Sequence, residues 1–107
     1  MKRAEEIYRN SEVGEKSLER RFAKKVREMG LIVIKVFDPR MAGMPDRYVA
    51  LPNGESLWVE FKSSGRKLTP LQESRMKWLE RLGHRTMVCS NAEELDIALL
   101  EVRRVLA

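Results

Sequence analysis

Residues 46–62 read DRYVALPNGESLWVEFK, and this stretch predicts a β-hairpin. Its two arms, 46–51 and 55–62, are rich in the β-branched, aromatic and aliphatic side chains that favour strands. The segment between them, 52–54 (PNG), contains three residue types that are typical of tight turns. The rest of the fold can be predicted outward from this hairpin.

The second arm of the hairpin has an apolar face and a polar face, because side chains of a strand alternate between its two sides. The apolar face carries Leu57, Val59 and Phe61, and the other face carries Trp58, Glu60 and Lys62. A carboxylate and an ammonium group are therefore neighbours on one face of a half-buried strand.

The length of the turn decides which side chain of the first arm lies opposite Glu60. A three-residue turn at 52–54 places Asp46 there, with Cβ atoms ~5 Å apart and two carboxylates that repel unless a cation lies between them. A two-residue turn at 53–54 places Arg47 there instead, as a plain cross-strand ion pair. The turn sequence is compatible with both registers.

Hydrophobic periodicity and turn residues predict the other elements. These are a helix over 11–29, a strand over 31–37, a loop over 38–45, a helix over 70–82, a strand over 84–89 and a helix over 91–105. The order α-β-β-β-α-β-α predicts an α/β fold with a mixed β-sheet flanked by helices. We expect one domain over 1–107, in which residues 1–10 are either a flexible extension or part of the first helix.

Capping residues mark the starts of the last two helices. Thr69 and Gln72 have the spacing of a capping box, in which each side chain bonds the other residue's backbone N–H. Asn91 and Glu94 have the same spacing, so a second capping box is predicted for the last helix.

Two residue types that often carry chemistry are scarce here. Cys89 is the only cysteine and His84 the only histidine, which excludes an intrachain disulfide, a Cys-rich zinc site and catalysis by paired histidines. Both are predicted to be structural. Trp78 falls at helical spacing with Leu71 and Leu82, which predicts that it lies in the core.

The chain is basic, with 21 Lys and Arg against 16 Asp and Glu and a net charge of +5. This balance favours a polyanionic partner, with nucleic acid ahead of an anionic membrane surface, although a basic surface that serves only solubility is also compatible. No signal peptide and no apolar run of ~20 residues is present, so we expect a cytoplasmic protein that does not enter the membrane.

The first helix supplies a third candidate carboxylate. Glu15 falls near the centre of the face that Leu18, Phe22 and Val26 define, and Glu19 falls at its edge. A charge in an apolar stripe is costly unless it is paired or ligating, although a place in the first helical turn would also account for Glu15. Converging carboxylates without His or Cys suit Mg²⁺ or Mn²⁺ and, with a lysine beside them, outline a site for phosphodiester hydrolysis.

Three motifs in this order resemble the VRR-NUC branch of the PD-(D/E)XK nucleases, across most of the chain from about Glu15 to Cys89. They are Gly43-Met44-Pro45-Asp46-Arg47, then Trp58-Val59-Glu60-Phe61-Lys62, then Leu68-Thr69-Pro70-Leu71-Gln72. The helix that begins Gly14-Glu15-Lys16-Ser17-Leu18-Glu19 is similar to the acidic helix of that family. The resemblance implies a restriction-endonuclease-like core.

The resemblance also implies roles for single residues. Asp46, Glu60, the Phe61 carbonyl and Glu15 would ligate Mg²⁺, for which Mn²⁺ would substitute. Lys62 would position or activate the attacking water. Gln72 matches a glutamine that the family places near the site, and Glu19 is the alternative to Glu15.

Basic residues near the motifs are candidates for DNA binding. Arg66 and Lys67 are favoured because their loop directly follows Lys62. Arg47 is a further candidate, and Lys35 and Arg40 are weaker ones. The first helix has a basic exterior, formed by Arg20, Arg21, Lys24, Lys25 and Arg27, for which a solvated face is the commoner explanation.

By resemblance to the small stand-alone members of the family, found in phages and bacteria, we expect a Mg²⁺-dependent endonuclease of branched DNA. It would resolve Holliday junctions as a homodimer in the cytoplasm of a bacterium or a phage-infected host. The alternatives are a nuclease with another preference, such as flaps or single strands, a DNA-binding module without catalysis, and a basic interaction protein with a salt-bridged hairpin.

Overall fold

The computed structural model describes the backbone of residues 4–107 and the side chains from Gly14 onward. Its elements are α1 (Ala4–Glu28), β1 (Ile32–Lys35), β2 (Arg47–Ala50), β3 (Ser56–Phe61), α2 (Pro70–Arg81), β4 (Arg85–Cys89) and α3 (Ala92–Leu106). The predicted order is confirmed. Part of the segment predicted as an extension or helix start, from Ala4 to Asn10, is helical, and residues 1–3 lie outside the described residues.

The four strands form one mixed β-sheet in the order β1-β2-β3-β4. The first three strands are antiparallel, and β4 lies parallel to β3 because α2 crosses over between them. The predicted mixed sheet is therefore confirmed. No helix of residues 4–107 is long and apolar enough to cross a membrane.

The turn at 52–54 is the three-residue form. The Leu51 N–H donates to the Glu55 carbonyl at 2.9 Å, and Gly54 adopts a positive φ of 75°. Arg47 pairs with Val59 in the resulting register, so Asp46, one residue earlier, lies across from Glu60. The register that would have joined Arg47 to Glu60 is excluded.

The main core lies between one face of the sheet and the helices α1 and α3. Leu57, Val59 and Phe61 are fully buried on that face, as the alternation of β3 predicts. The Phe22 ring on α1 packs against the Phe61 ring, with 5.6 Å between their centroids. This packing anchors α1 against the strand that carries Glu60.

Helix α2 lies on the opposite face of the sheet and begins with the predicted capping box. Thr69 accepts from the Gln72 N–H, and the Gln72 side chain accepts from the Thr69 N–H at 3.0 Å. The prediction that Trp78 lies in the core was wrong, since it is 41% exposed. Met76 and Leu79 face the sheet instead, because helical spacing defines a stripe without showing which stripe meets the sheet.

The capping box predicted for α3 is only half formed. Asn91 accepts from the Glu94 N–H at 2.8 Å. The Glu94 carboxylate, however, accepts from the N–H and hydroxyl of Ser90 rather than from the N–H of Asn91. Ser90 therefore binds the Glu94 carboxylate in place of the Asn91 N–H.

Candidate active site

The hairpin brings two carboxylates together at the ends of β2 and β3. Asp46 immediately precedes β2, and its Oδ2 accepts a hydrogen bond from the Phe61 N–H at 2.9 Å. Glu60 lies on β3 with only 4% of its surface exposed. The sheet thus holds both acids in the register that opposes them, in a place that is poorly solvated.

Burial and mutual repulsion both disfavour the charged forms of this pair. Burial raises the pKa of Glu60 to about 8, the facing Asp46 carboxyl adds to the rise, and Lys62 opposes it. Burial also raises the pKa of Asp46, while the hydrogen bond from Phe61 lowers it in part. A buried acid and a half-buried acid that repel each other form an environment that favours a bound cation.

Lys62 provides part of the missing positive charge. Its Nζ lies 4.0 Å from Glu60 Oε2, and its side chain is only 14% exposed. At this distance the ammonium group attracts the carboxylate and can still donate to a water molecule or a phosphate oxygen.

Gln72 connects α2 to the carboxylate pair. Its Nε2 donates to Glu60 Oε2 at 3.2 Å, while its Oε1 accepts from the Thr69 N–H. Gln72 therefore lies near the site, as the family resemblance implies, and also caps α2. The helix start fixes the amide, and the amide orients the Glu60 carboxylate.

The two acids of α1 have different surroundings. Glu15 Oε2 accepts from the Ser63 hydroxyl at 2.8 Å, just beyond Lys62, and its charge raises the pKa values of both Asp46 and Glu60. Glu15 therefore lies near the Asp46–Glu60 pair, and its carboxylate can still bind a ligand.

Glu19 is occupied by two cations. Its Oε2 accepts from Lys35 Nζ at 2.9 Å and from Arg47 Nη2 at 3.0 Å. The Arg47 side chain is only 12% exposed, so it is held inward by Glu19, whereas Lys35 is 62% exposed and Arg40 is 90% exposed beside Asp38.

A cleft of about 280 Å³ opens beside Glu15. It is lined by Glu15, Lys16, Ser63 and Arg66. Lys67 is exposed next to it in the chain. Of the two favoured DNA-binding candidates, Arg66 therefore lines the cleft, and Lys67 is its exposed neighbour in the chain.

The exterior of α1 carries an additional basic surface. Its members are Lys16, Arg20, Arg21, Lys24, Lys25 and Arg27, all exposed. Among the ion pairs found in the described side chains, none uses these six cations. Lys16 borders the cleft, so this surface begins at the candidate site and continues along the helix.

The donor set fits a hard divalent cation. Within the described part of the chain, no three acidic, His or Cys side chains are close enough together to enclose a metal ion. Mg²⁺, however, usually takes one or two carboxylates and keeps several water molecules, rather than occupying an all-protein cage. The Asp46–Glu60 pair, whose repulsion Lys62 offsets only in part, offers only oxygen donors and suits that mode.

Ser63 is a site residue that sequence reasoning missed. It is 4% exposed and donates to Glu15 from the loop after β3. In the sequence it belongs to a Ser-Ser-Gly segment that is typical of a turn, and no pattern there indicates that the hydroxyl is buried.

Comparisons with known proteins agree with this geometry, although no family model matches the chain. A protein of Acyrthosiphon pisum secondary endosymbiont phage 1, provisionally named nuclease p44, is 40% identical over 81 residues, which cover 76% of this chain and 87% of that protein. A solved VRR_NUC domain is similar with a TM-score of 0.72 and 25% identity, covering 82% of this chain and 95% of the domain. The chain therefore belongs to the VRR-NUC family of PD-(D/E)XK nucleases.

Proposed function

We propose that this nuclease is a Mg²⁺-dependent endonuclease that cleaves branched DNA and resolves Holliday junctions. The observation that carries the proposal is that half-buried Asp46 lies across from buried Glu60, with Lys62 Nζ 4.0 Å from the Glu60 carboxylate. Facing carboxylates destabilise a hairpin that has only a structural role, but they are useful for hydrolysis of a phosphodiester.

Asp46, Glu60, the Phe61 carbonyl and Glu15 are the groups that would hold the metal. Mg²⁺, or Mn²⁺ in its place, would supply Lewis-acid activation of the phosphodiester and of water. The Glu15 carboxylate is already oriented by Ser63, at 2.8 Å. Each of the three carboxylates thus accepts a hydrogen bond from a neighbour within the protein, which reduces the reorganisation needed on binding.

Lys62 and Gln72 would act on the groups around the reacting phosphate. The Lys62 ammonium orients the attacking water and offsets charge on the phosphate as the water oxygen bonds to phosphorus and the sugar oxygen departs. Gln72 positions Glu60 through its hydrogen bond at 3.2 Å.

DNA is the proposed polyanion, and the α1 cations, none of which is in an ion pair with another described side chain, support it. Beginning with Lys16 at the cleft, Lys16, Arg20 and Lys24 recur every four residues, a rise of ~6 Å each, so they form a ridge able to follow a phosphate backbone. We further propose a homodimer, because two identical sites suit the approximate two-fold symmetry of a four-way junction. The phage relative is in keeping with action in the cytoplasm of a bacterium or an infected host.

A panel of end-labelled substrates tests this proposal. A four-way junction, a flap, a linear duplex and a single strand are incubated with the protein and Mg²⁺. We expect paired symmetric cuts in the junction at enzyme concentrations that leave the linear duplex intact. An intact junction alongside a cleaved flap or single strand would replace the resolvase assignment with another nuclease preference.

A further inference from the structure

The loop between β1 and β2, residues 36–46, ends at Asp46 and therefore determines where this carboxylate lies. We call it the Asp46 loop. Its two ends are joined, because the Val36 N–H donates to the Asp46 carbonyl at 2.8 Å. Near its tip, the Met41 N–H donates to the Asp38 carbonyl at 2.9 Å. Both bonds lie within the loop, so its position relative to Glu60 depends on contacts with other elements.

Arg75 of α2 makes one of these contacts. Its Nε donates to the Ala42 carbonyl of the Asp46 loop at 3.0 Å. The Arg75 guanidinium also lies over the Trp78 ring, 5.6 Å from its centroid, and this cation–π stacking restricts the conformations that the arginine can adopt. A side chain held by its own helix thus binds the backbone of the loop.

Leu71 of α2 makes a second contact, against Gly43. A Cβ atom at Gly43 would lie 2.6 Å from Leu71 Cγ and 3.3 Å from the Leu71 carbonyl carbon. Gly43 also has a φ of 86°, a conformation that glycine adopts at little cost. Two residues later, Pro45 is fully buried. The part of the loop that leads into Asp46 is therefore packed closely on the start of α2.

The same part of α2 also holds Glu60. Gln72 lies one residue after Leu71 and three before Arg75, so all three belong to the first two turns of the helix. Gln72 Nε2 donates to Glu60 Oε2 at 3.2 Å. One helix start therefore contacts Glu60 directly and contacts the Asp46 loop through Leu71 and Arg75.

We propose that Arg75 and Leu71 are positioning residues, which hold the Asp46 loop against α2 and so fix Asp46 relative to Glu60. The use of this positioning rests on the proposed function, because Mg²⁺ requires near-ideal octahedral geometry from its oxygen ligands. A loop that could move away from α2 would spread the two carboxylates over many separations and weaken the metal site.

The Phe61 N–H reports the position of Asp46 in the absence of metal and DNA. It donates to Asp46 Oδ2 at 2.9 Å. The next N–H in the chain, that of Lys62, donates instead to the Cys89 carbonyl of β4, also at 2.9 Å. Displacement of Asp46 should therefore accelerate hydrogen exchange at Phe61 alone, whereas general loss of stability should accelerate exchange at both residues.

Arg75→Ala, with Arg81→Ala as its control, tests the polar contact. Arg81 is exposed on the same helix, so its substitution removes the same charge away from the loop. Exchange is followed by NMR in EDTA. We expect Arg75→Ala to raise the ratio of the Phe61 rate to the Lys62 rate by at least ~10-fold, as loss of a hydrogen bond to a carboxylate would do, and Arg81→Ala to leave it unchanged.

Gly43→Ala, with Gly83→Ala as its control, tests the packing contact. Gly83 has a φ of 91° and nothing within 4 Å of an added Cβ, so its alanine variant has similar backbone strain without a collision. We expect only Gly43→Ala to raise the rate ratio. An unchanged ratio in both Arg75→Ala and Gly43→Ala, or a ratio that rises equally in the controls, would overturn the proposal.

Cleavage assays separate this inference from the nuclease assignment. Arg75→Ala should raise the Mg²⁺ concentration for half-maximal cleavage by ~10-fold, whereas Arg81→Ala should not. A wild type without nuclease activity, together with a Phe61 N–H that responds to Arg75→Ala, would refute the proposed function and retain the positioning role. Mg²⁺-dependent cleavage that is the same in wild type and Arg75→Ala, with unchanged Phe61 exchange, would retain the function and refute the positioning role.

Discussion

At the scale of single residues, the buried carboxylate pair makes the metal-free protein sensitive to pH. The pKa of Glu60 is raised to about 8 in the fold, whereas an unfolded chain ionises a glutamate near 4.3. Between these two pKa values the folded state binds one proton more than the unfolded state. The free energy of unfolding is therefore highest near and below the unfolded pKa and falls as the pH rises toward 8.

We therefore expect the free energy of unfolding in EDTA to fall by roughly 2 kcal/mol between pH 5.5 and pH 8. Glu60→Gln removes the titrating group and should flatten this part of the pH profile. Urea unfolding at both pH values measures the difference. A wild-type profile as flat as that of the variant would show that Glu60 ionises normally in the fold.

Ser63 offers a second test at this scale, because its hydroxyl orients Glu15. Ser63→Ala should raise the Mg²⁺ concentration for half-maximal cleavage by ~10-fold, as losses of outer hydrogen bonds to metal ligands do. The adjacent Ser64 is exposed, so Ser64→Ala is the matched control and should leave the Mg²⁺ dependence unchanged. An equal Mg²⁺ dependence of the two variants would show that Glu15 does not bind the metal.

At the scale of elements, the start of α2 is coupled to the site, since Gln72 both caps the helix and binds Glu60. Thr69→Ala removes a cap and should cost ~1 kcal/mol of stability. Asn91→Ala should cost a similar amount at the start of α3. If the coupling holds, only Thr69→Ala reduces cleavage at a temperature where both variants are folded. An equal effect on activity would limit the capping box to a structural role.

The basic exterior of α1 gives a second prediction at the scale of elements. Arg20→Ala with Lys24→Ala should weaken binding to a four-way junction and reduce the slope of log affinity against log salt by ~2, because each lost phosphate contact releases about one counterion fewer. Lys77→Ala with Arg81→Ala removes the same charge from exposed positions of α2. A salt slope that changes equally in both double variants would mean that net charge, rather than this ridge, binds DNA.

Local patterns predict elements better than they predict contacts between elements. The faces of β3 and the capping box at Thr69 depend on neighbours in the sequence, and both were predicted correctly. The exposure of Trp78 depends on which flank of α2 meets the sheet, and the burial of Ser63 depends on how α1 crosses the end of β3. Neither is encoded in the spacing of nearby residues.

At the scale of the whole molecule, the sheet serves two purposes on its two faces. One face packs against α1 and α3 and holds the strands that present Asp46 and Glu60 in fixed register. The other face carries α2, whose Gln72 orients Glu60. Both faces of the same four strands thus contribute to the geometry of the carboxylate pair.

The most direct measurement of the central claim is the Mg²⁺-dependent cleavage rate of a labelled four-way junction by wild type and by Glu60→Gln, at equal concentrations of folded protein. The substitution keeps the size of the side chain and removes the carboxylate that faces Asp46. The proposed site predicts a loss of at least ~10³-fold. Cleavage by Glu60→Gln at the wild-type rate would contradict the site.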